Sequence, residues 1–335
     1  MKLMYMLKRI TPKWIKEPIK KIITKYNNFD RKYFINNIYR GGGYLELIEF
    51  FITSKCNYNC EYCFGDFTPK KLNASDETIN NFIKLIPKLQ RGACIKLIGG
   101  EPTFHPRFIE VANCILENNK SLDIGTNFSL SNDIFKHLID CSKKENQIKL
   151  IVSLHLSQIK SIPEFIEKLI SLKNYGKKKI KINVVSVLIE EKIELLKNIK
   201  DNLKKYGINM SFQRLKIYQK ENKKFSDYTE ETEKYLKEAF PNSKTKKIKD
   251  FNPYGMLCKA GYSFIRIDTD GSIYRCYEYQ KELFNLGNIN NEKKLLKKPM
   301  PCLSDRCTCL LPVNRGLLIF DKYNYKLADK MKNNY

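Results

Sequence analysis

The sequence lacks a long apolar run, and none of its segments approaches the ~20 residues that a transmembrane helix requires. It also lacks a secretory signal, because the apolar run Met4–Leu7 is too short before Lys8 and Arg9. These two absences predict a cytoplasmic protein that is soluble or contacts a membrane only peripherally.

Arginine is scarce: of 61 basic residues, ten are Arg and 51 are Lys. With 36 acidic residues the formal net charge is +25, which raises nucleic acid or an anionic membrane as a partner. Bidentate recognition of phosphates and bases favours Arg, however, and the Lys residues are spread over predicted helix surfaces. The charge therefore indicates a solvated basic surface and argues against nucleic-acid binding.

The N-terminal segment, residues 1–43, is the most basic part, with eleven basic and two acidic residues. Its apolar residues follow helical spacing and predict one amphipathic helix: Ile15, Ile19, Ile22, Ile23 and Tyr26. Such a helix can lie on an anionic membrane through residues 1–30 or cover an open end of the next domain. Packing on the protein is the favoured alternative.

Six apolar strands then alternate with helices over residues 44–216. The strands are LELIEFFI, CIKLIGG, LDIGTNF, IKLIVSLHL, KIKINVVSVLI and INMSFQRLK. The helices begin near Ser75, Pro106, Asn132–Asp133 and Pro163, and the fifth ends at Gly207. Near-continuous apolar strands predict a parallel sheet covered by helices. Six units are too few for a closed eight-stranded barrel, so we expect an α/β fold, a partial (β/α)6 TIM-like barrel, with functional groups at the strand C-termini.

The remaining sequence divides into three parts. Residues 217–252 predict a helical connector with one helix near 227–240. Residues 253–312 predict a small cluster-binding domain containing a β-hairpin, whose turn signal is Asp270–Gly271. Residues 313–335 form a C-terminal tail.

Three of the eleven cysteines follow the first strand in a C-x3-C-x2-C pattern: Cys56, Cys60 and Cys63. A [4Fe–4S] cluster normally takes four thiolates, so three would leave one iron open to bind a substrate or cofactor. A zinc knuckle is the alternative, and it would need a fourth ligand nearby. The next cysteine, Cys94, is distant and is predicted to fill the core, as are Cys114 and Cys141.

A second group of cysteines lies near the C-terminus. Cys258 and Cys276 flank the predicted hairpin, and Cys302, Cys307 and Cys309 follow. This grouping predicts a metal-dependent domain in a reducing compartment, with a zinc ribbon as the alternative to an iron–sulfur cluster.

The second strand ends in Ile98-Gly99-Gly100-Glu101-Pro102, one β-α unit after the cysteine loop. Two glycines there allow close approach of a ligand to the backbone, and a carboxylate can pair with an ammonium group. The cysteine loop, this turn and the order of the strands together resemble those of the radical S-adenosylmethionine (radical SAM) superfamily. The resemblance covers roughly residues 44–215.

The resemblance implies roles for individual residues. Cys56, Cys60 and Cys63 would hold a [4Fe–4S] cluster, and the backbone at Tyr62 would meet the adenine. The methionine amino group would be bound by Gly99, Gly100, Glu101 and Pro102. Polar residues at later strand ends would touch the ribose, the carboxylate or the substrate: Thr126, Asn127, Ser153 and His155. Val184–Val187 would form an apolar wall near the adenine. The candidates for catalysis are His155, Gln213 and Arg214.

Residues 255–310 resemble the auxiliary-cluster modules of this superfamily, called SPASM and twitch. Five cysteines are available there for the four positions of one auxiliary [4Fe–4S] cluster, so one can be spare: Cys258, Cys276, Cys302, Cys307 and Cys309. Two clusters and S-adenosylmethionine are therefore the expected cofactors, with an electron donor such as flavodoxin or ferredoxin.

The implied activity is reductive cleavage of S-adenosylmethionine to a 5′-deoxyadenosyl radical that abstracts hydrogen from a substrate. We expect oxidation of a small or sugar-like metabolite. One alternative is a maturase of a ribosomally made peptide. An alternative of another class is a zinc-stabilised, basic nucleic-acid-binding protein, which would be colourless and would bind with a steep salt dependence.

Overall fold

The computed structural model describes most of the chain. The described residues are 34–35, 45–63, 72–145, 147–219, 222–239, 252–277, 285–291, 293–305, 307 and 316–333. The predicted N-terminal helix, the membrane contact through residues 1–30 and Cys309 lie outside these ranges.

Strands β1 to β7 are Phe34–Ile35, Leu47–Thr53, Cys94–Gly99, Ser121–Thr126, Ile148–Leu154, Ile180–Leu188 and Asn209–Arg214. Strands β8 to β16 are Lys216–Gln219, Asn222–Phe225, Met256–Cys258, Phe264–Ile267, Ser272–Tyr274, Asn285–Asn288, Leu295–Leu296, Met300–Pro301 and Leu318–Tyr323. Helices α1 to α7 are Asp76–Leu85, Phe108–Glu117, Asp133–Cys141, Ile162–Gly176, Ile193–Lys205, Glu230–Ala239 and Tyr325–Lys332. All six predicted β-α strands are confirmed.

Serine caps start two of these helices where the sequence predicts a start. The backbone N–H of Thr78 donates to Oγ of Ser75 at 3.2 Å, just before α1. The backbone N–H of Glu164 donates to Oγ of Ser161 at 3.3 Å, at the start of α4. A side-chain acceptor at this position satisfies an N–H that the helix itself leaves without a partner.

Strands β2 to β7 lie side by side in chain order, and every neighbouring pair is parallel. Right-handed crossovers in a constant direction place the connecting helices on one face of the sheet. Phe50 of β2 contacts Phe82 of α1 on this face, with ring centroids 4.3 Å apart. The opposite face is called the inner face below. The predicted α/β partial barrel is confirmed, and the sheet formed by the described strands does not close.

The local sequence pattern did not indicate where in the fold the predicted hairpin lies. Strand β11 pairs in parallel with β2, from Phe264 opposite Leu47 to Ile267 opposite Phe50. Strands β12 and β13 follow in antiparallel order, so the described residues form one nine-stranded sheet, β13-β12-β11-β2-β3-β4-β5-β6-β7. The hairpin therefore extends the barrel sheet past its first strand.

Three short sheets complete the described structure: β1 with β14, β8 with β9, and β10 between β15 and β16. The predicted connector helix is α6, and its residues 230–239 lie within the expected range. In the described part of the chain no helix has the length and apolarity needed to cross a membrane.

Candidate active site

The cysteine loop begins where β2 ends and is joined by hydrogen bonds to the turn that ends β3. The backbone N–H of Gly100 donates to the carbonyl of Thr53 at 2.9 Å, and that of Glu101 donates to the carbonyl of Lys55 at 2.7 Å. A side chain at either glycine would collide with this neighbour. A Cβ on Gly99, whose φ is +149°, would lie 1.9 Å from the Thr53 oxygen. The two glycines are thus required by the approach of the two loops.

Two of the three loop thiols receive side chains from other strand ends. Asn127, after β4, places its Nδ2 donor 3.7 Å from Sγ of Cys56 and 2.8 Å from Oδ1 of Asn57. His155, after β5, has its Nδ1 3.4 Å from Sγ of Cys60. Cys56 and Cys60 are half-buried, and Cys63 is exposed. Side chains from two strand ends therefore contact the loop at Cys56 and Cys60, and the end of the loop at Cys63 is exposed.

His155 lies between the aromatic residues of the loop. Its Nδ1 is 3.2 Å from the Tyr62 hydroxyl, its ring stacks on Tyr62 at 5.9 Å, and Tyr58 meets it edge-on at 5.8 Å. Burial lowers the pKa of His155, which favours the neutral imidazole. Burial, followed by the charge of Cys60, raises the pKa of Tyr62 to about 12. Both side chains are thus uncharged parts of the wall around the thiols.

The carboxylate of Glu101 is fully buried and joins the ends of β3 and β4. Its Oε1 accepts from the hydroxyls of Thr103 at 2.6 Å and Thr126 at 2.8 Å. Its Oε2 accepts from the backbone N–H of Asn127 at 2.6 Å. Burial raises the pKa of Glu101, and these hydrogen bonds oppose that shift. The side chain holds the residues around the thiols in position, with three hydrogen bonds to Oε1 and one to Oε2.

The remaining predicted residues are divided between the two faces. Pro102 is buried in the short turn after Glu101. Ser153 alternates with the core residues Val152 and Leu154, which places it on the inner face near the strand end. Gln213 also lies on the inner face and is exposed.

Arg214 faces the other way. Its guanidinium contacts both carboxylate oxygens of Glu233 in α6, with Nη1 2.7 Å from Oε1. Phe212 and Met210, two and four residues earlier, contact the helix-side core. The structure therefore does not bring Arg214 to the cysteine loop, and the alternation of the strand could have indicated this. The same alternation also separates residues of the apolar wall predicted over Val184–Val187. Val184 lies in the helix-side core, whereas Val185 and Val187 lie on the inner face.

Two of the C-terminal cysteines, Cys258 and Cys276, lie at the opposite end of the inner face. Cys258 is buried in a small apolar cluster with Leu47 and Phe264, and Cys276 packs against this cluster. Cys94 packs there as well, so it lies beside two predicted cluster ligands; Cys114 and Cys141 pack against the helix-side core as predicted.

The two later described cysteines belong to the same region of the chain. The backbone N–H of Cys302 donates to the carbonyl of Met256, the first residue of β10, at 2.8 Å, and Cys307 is buried. Among the described residues, no three His, Cys, Asp or Glu side chains are arranged around one point to hold a single metal ion. In a [4Fe–4S] cluster each thiolate binds a different iron.

Comparison with known proteins identifies the fold. No protein-family profile matches the chain. Among solved structures, anSMEcpe bound to AdoMet and a Cp18Cys peptide has 19% sequence identity and a TM-score of 0.53, covering 74% of this chain and 78% of its own. SuiB of Streptococcus suis bound to S-adenosylmethionine has 16% identity and a TM-score of 0.54, covering 74% and 64%. The chain has the radical SAM fold.

Three curated proteins match this chain in sequence. The S-adenosylmethionine-dependent nucleotide dehydratase of Selenomonas ruminantium is 35% identical over 82 residues, 24% of this chain and 28% of that protein. A tungsten-containing aldehyde ferredoxin oxidoreductase cofactor-modifying protein of Pyrococcus furiosus is 33% identical over 86 residues, 24% of each chain. An uncharacterised protein of Methanocaldococcus jannaschii is 27% identical over 270 residues, 73% of this chain and 88% of its own. The chain matches only about a quarter of the length of the first two relatives.

Proposed function

We propose that this radical SAM enzyme binds a [4Fe–4S] cluster through Cys56, Cys60 and Cys63 and binds S-adenosylmethionine beside it. The observation that carries the proposal is the convergence of three thiols, the Gly99–Gly100 backbone and Asn127 at one end of a parallel sheet. Three soft thiolate donors on one loop fit an iron–sulfur cluster that keeps one iron open. When bound, the cluster and S-adenosylmethionine supply a radical that removes hydrogen from the substrate.

The protein residues position these groups and exclude water. Asn127 and His155 hold the loop thiols from two separate strands, and the Gly99–Gly100 backbone offers polar groups close to them. Glu101 joins the ends of β3 and β4, and its Oε2, which accepts one hydrogen bond, would bind the methionine amino group. Tyr62 stacks on His155, and Ser153 lies two residues before it in β5, so in this proposal they would face the adenine and the ribose.

We further propose a second [4Fe–4S] cluster in a twitch-like domain over residues 253–312. The supporting observation is that Cys258 and Cys276 share one buried cluster of side chains on the inner face, and Cys302 is joined to the adjoining strand. Cys307 and Cys309 are the other candidate ligands. With the barrel at 44–216 and a connector at 217–252, the second cluster would lie across the inner face from the first.

The substrate we favour is a small polar molecule, oxidised in a cytoplasmic setting with flavodoxin or ferredoxin as electron donor. Inner-face residues of β5 to β7 reach solvent and are mostly polar, which fits a small polar ligand. A peptide substrate is the second candidate. It is favoured by solved structures of the same fold that hold peptides, anSMEcpe with Cp18Cys and SuiB with its precursor peptide SuiA.

Anaerobic quantification of iron, sulfide and zinc tests the proposal. The wild type should be brown with about eight irons, from two clusters of four. Replacing Cys56, Cys60 and Cys63 by Ala should remove about half of the iron and all formation of 5′-deoxyadenosine. A Cys114→Ala, Cys141→Ala protein is the matched control and should keep both. A colourless wild type that contains zinc would favour the nucleic-acid-binding alternative instead.

A further inference from the structure

Cys94, the first residue of β3, lies on the inner face of the sheet. It precedes Ile95, which belongs to the helix-side core, and successive side chains of a strand point to opposite faces. Across the sheet its neighbour in β2 is Leu47, and Leu47 has Phe264 of β11 on its other side. The pairing of β2 with β11 therefore brings a cysteine of the barrel close to the C-terminal cysteines.

Three thiols meet at one small group of apolar side chains. Cys258 is a buried member of this group with Leu47 and Phe264, and both Cys94 and Cys276 pack against it. The other two isolated cysteines of the barrel pack against the helix-side core. The fold therefore places Cys94 with two proposed cluster ligands rather than with the cysteines that fill the core.

The sulfur of Cys258 has a contact that favours its thiolate form. Its Sγ accepts a hydrogen bond from the backbone N–H of Ala260, two residues later, at 3.4 Å. Cys56 in the first loop has the same arrangement, with the backbone N–H of Tyr58 3.4 Å from its Sγ. Hydrogen bonds to sulfur stabilise a thiolate and tune the potential of a cluster that it binds. The two proposed cluster sites thus share a local backbone arrangement.

A buried cation joins the segments that carry the C-terminal thiols. Arg275, directly before Cys276, is 3% exposed. Its Nε donates to the carbonyl of Ala260 at 2.7 Å, and its two terminal nitrogens donate to both carbonyls of β15 at 3.0 and 2.7 Å. Ala260 is two residues after Cys258, and β15 ends directly before Cys302. Its positive charge offsets part of the cost of thiolates in a buried site.

We propose that Cys94 is a ligand of the second cluster, together with Cys258, Cys276 and Cys302. This inference rests on the second cluster of the proposed function and gives one of its four positions to the barrel. Each thiolate would bind a different iron. Strand β3 would then carry a ligand of the second cluster at its first residue and the Gly99–Gly100 turn of the first site at its end.

Iron counting in a chain without the first cluster tests the proposal. In a background of Cys56→Ala, Cys60→Ala and Cys63→Ala, about four irons should remain, all from the second cluster. Adding Cys94→Ala should lower this number to about three or fewer, because one iron loses its thiolate, and should change the EPR spectrum of the reduced protein. Adding Cys114→Ala instead is the matched control and should leave both unchanged.

A second substitution separates ligation from packing. Cys94→Val restores apolar volume without a ligand atom, so it should lose iron as Cys94→Ala does. Adding 2-mercaptoethanol during anaerobic reconstitution should restore the iron in Cys94→Ala, where the external thiol has room, but not in Cys94→Val. Four irons in Cys94→Val, or no restoration in Cys94→Ala, would overturn the proposal.

The last two cysteines provide an independent test. Cys307→Ala with Cys309→Ala, in the same background, should keep about four irons, because Cys94 and Cys302 complete the ligand set. If Cys94 took no part, this chain would retain only three ligands and should lose iron. Loss of iron here, together with four irons in Cys94→Ala, would overturn the proposal. Loss in both would keep Cys94 as a ligand and replace Cys302 by Cys307 or Cys309.

The same chains separate this inference from the proposed function. If the background chain contains no iron, the second cluster of the proposed function fails, and this inference fails with it. If it contains about four irons that Cys94→Ala does not reduce, this inference fails alone. If the wild type forms no 5′-deoxyadenosine while Cys94→Ala lowers the iron content of the background chain, the proposed chemistry at the first cluster fails and the ligand assignment stands.

Discussion

Replacing Gly100 by Ala should separate the cysteine loop from the β3 turn. A Cβ at this position would lie 2.2 Å from the carbonyl oxygen of Lys55, 2.6 Å from its carbonyl carbon and 2.8 Å from the oxygen of Ser54. All three are backbone atoms, so no side-chain rotation can relieve the overlap. The loop must move, and the 2.7 Å hydrogen bond from Glu101 to Lys55 would be lost with it.

The size of the effect follows from these contacts. Overpacking of a fixed site costs about 1–3 kcal/mol, and each lost hydrogen bond adds about 1 kcal/mol. We therefore expect a loss of about 3 kcal/mol in the free energy of unfolding. At about 2 °C per kcal/mol for a large domain, the thermal midpoint should fall by about 6 °C.

Anaerobic thermal denaturation followed by circular dichroism measures this shift. Gly125→Ala is the matched control, because the nearest atom to its new Cβ is Cγ2 of the Ile98 side chain at 3.1 Å, which can move. The iron content of Gly100→Ala should also fall, since the loop that carries the thiols is displaced. If Gly100→Ala and Gly125→Ala had the same midpoint, the steric reasoning would be refuted.

Three further substitutions probe side chains around the thiols and behind them. His155→Phe removes the ring nitrogen 3.4 Å from Sγ of Cys60. With the proposed cluster bound and Nδ1 as the donor, loss of this hydrogen bond to a ligand thiolate should lower the midpoint potential in an EPR-monitored titration. Gln158→Ala, which alters contacts to the Asn59 backbone and to Ser157 but none to a thiol, should not; equal shifts would contradict this role. Glu101→Gln places an amide donor among groups that already donate, including the N–H of Asn127, so it should cost about 2 kcal/mol of stability and weaken S-adenosylmethionine binding in calorimetry. Unchanged stability would argue against the buried network. Burial lowers the pKa of His105, so the unfolded chain takes up its proton first as the pH falls through about 6.5. Wild-type stability should decline there in pH-dependent denaturation, and His105→Gln should flatten the decline; identical curves would exclude this contribution.

The barrel can be predicted from the sequence because the signals for its elements come from residues that are close together in the chain. The apolar strands, the Ser75 cap and the glycine turn after β3 each depend on neighbouring residues. The alternation of side chains along β7 also predicts the direction of Arg214, because Arg214 lies on the same side of the strand as Met210 and Phe212, which face the helices. The position of the hairpin cannot be obtained this way, since β11 meets β2 across more than 200 residues of sequence.

The candidate site likewise has parts that the sequence predicts and parts that it does not. The cysteine spacing and the Gly99–Gly100 turn predict that two loops meet, because both follow neighbouring parallel strands. The contact of His155 with Cys60 depends on side-chain direction at a strand end, which the sequence does not specify.

The parallel pairing of β2 with β11 has a consequence for biosynthesis. The strand that leads into the cysteine loop is among the first parts of the sheet to be translated, yet one of its two neighbours, Phe264–Ile267, is translated near the end. Until then β2 presents an unpaired edge, and exposed edges invite association with other chains. The edge of the strand that leads into the cysteine loop is therefore covered only after most of the chain has been synthesised, and a chain truncated before residue 253 would leave that edge exposed.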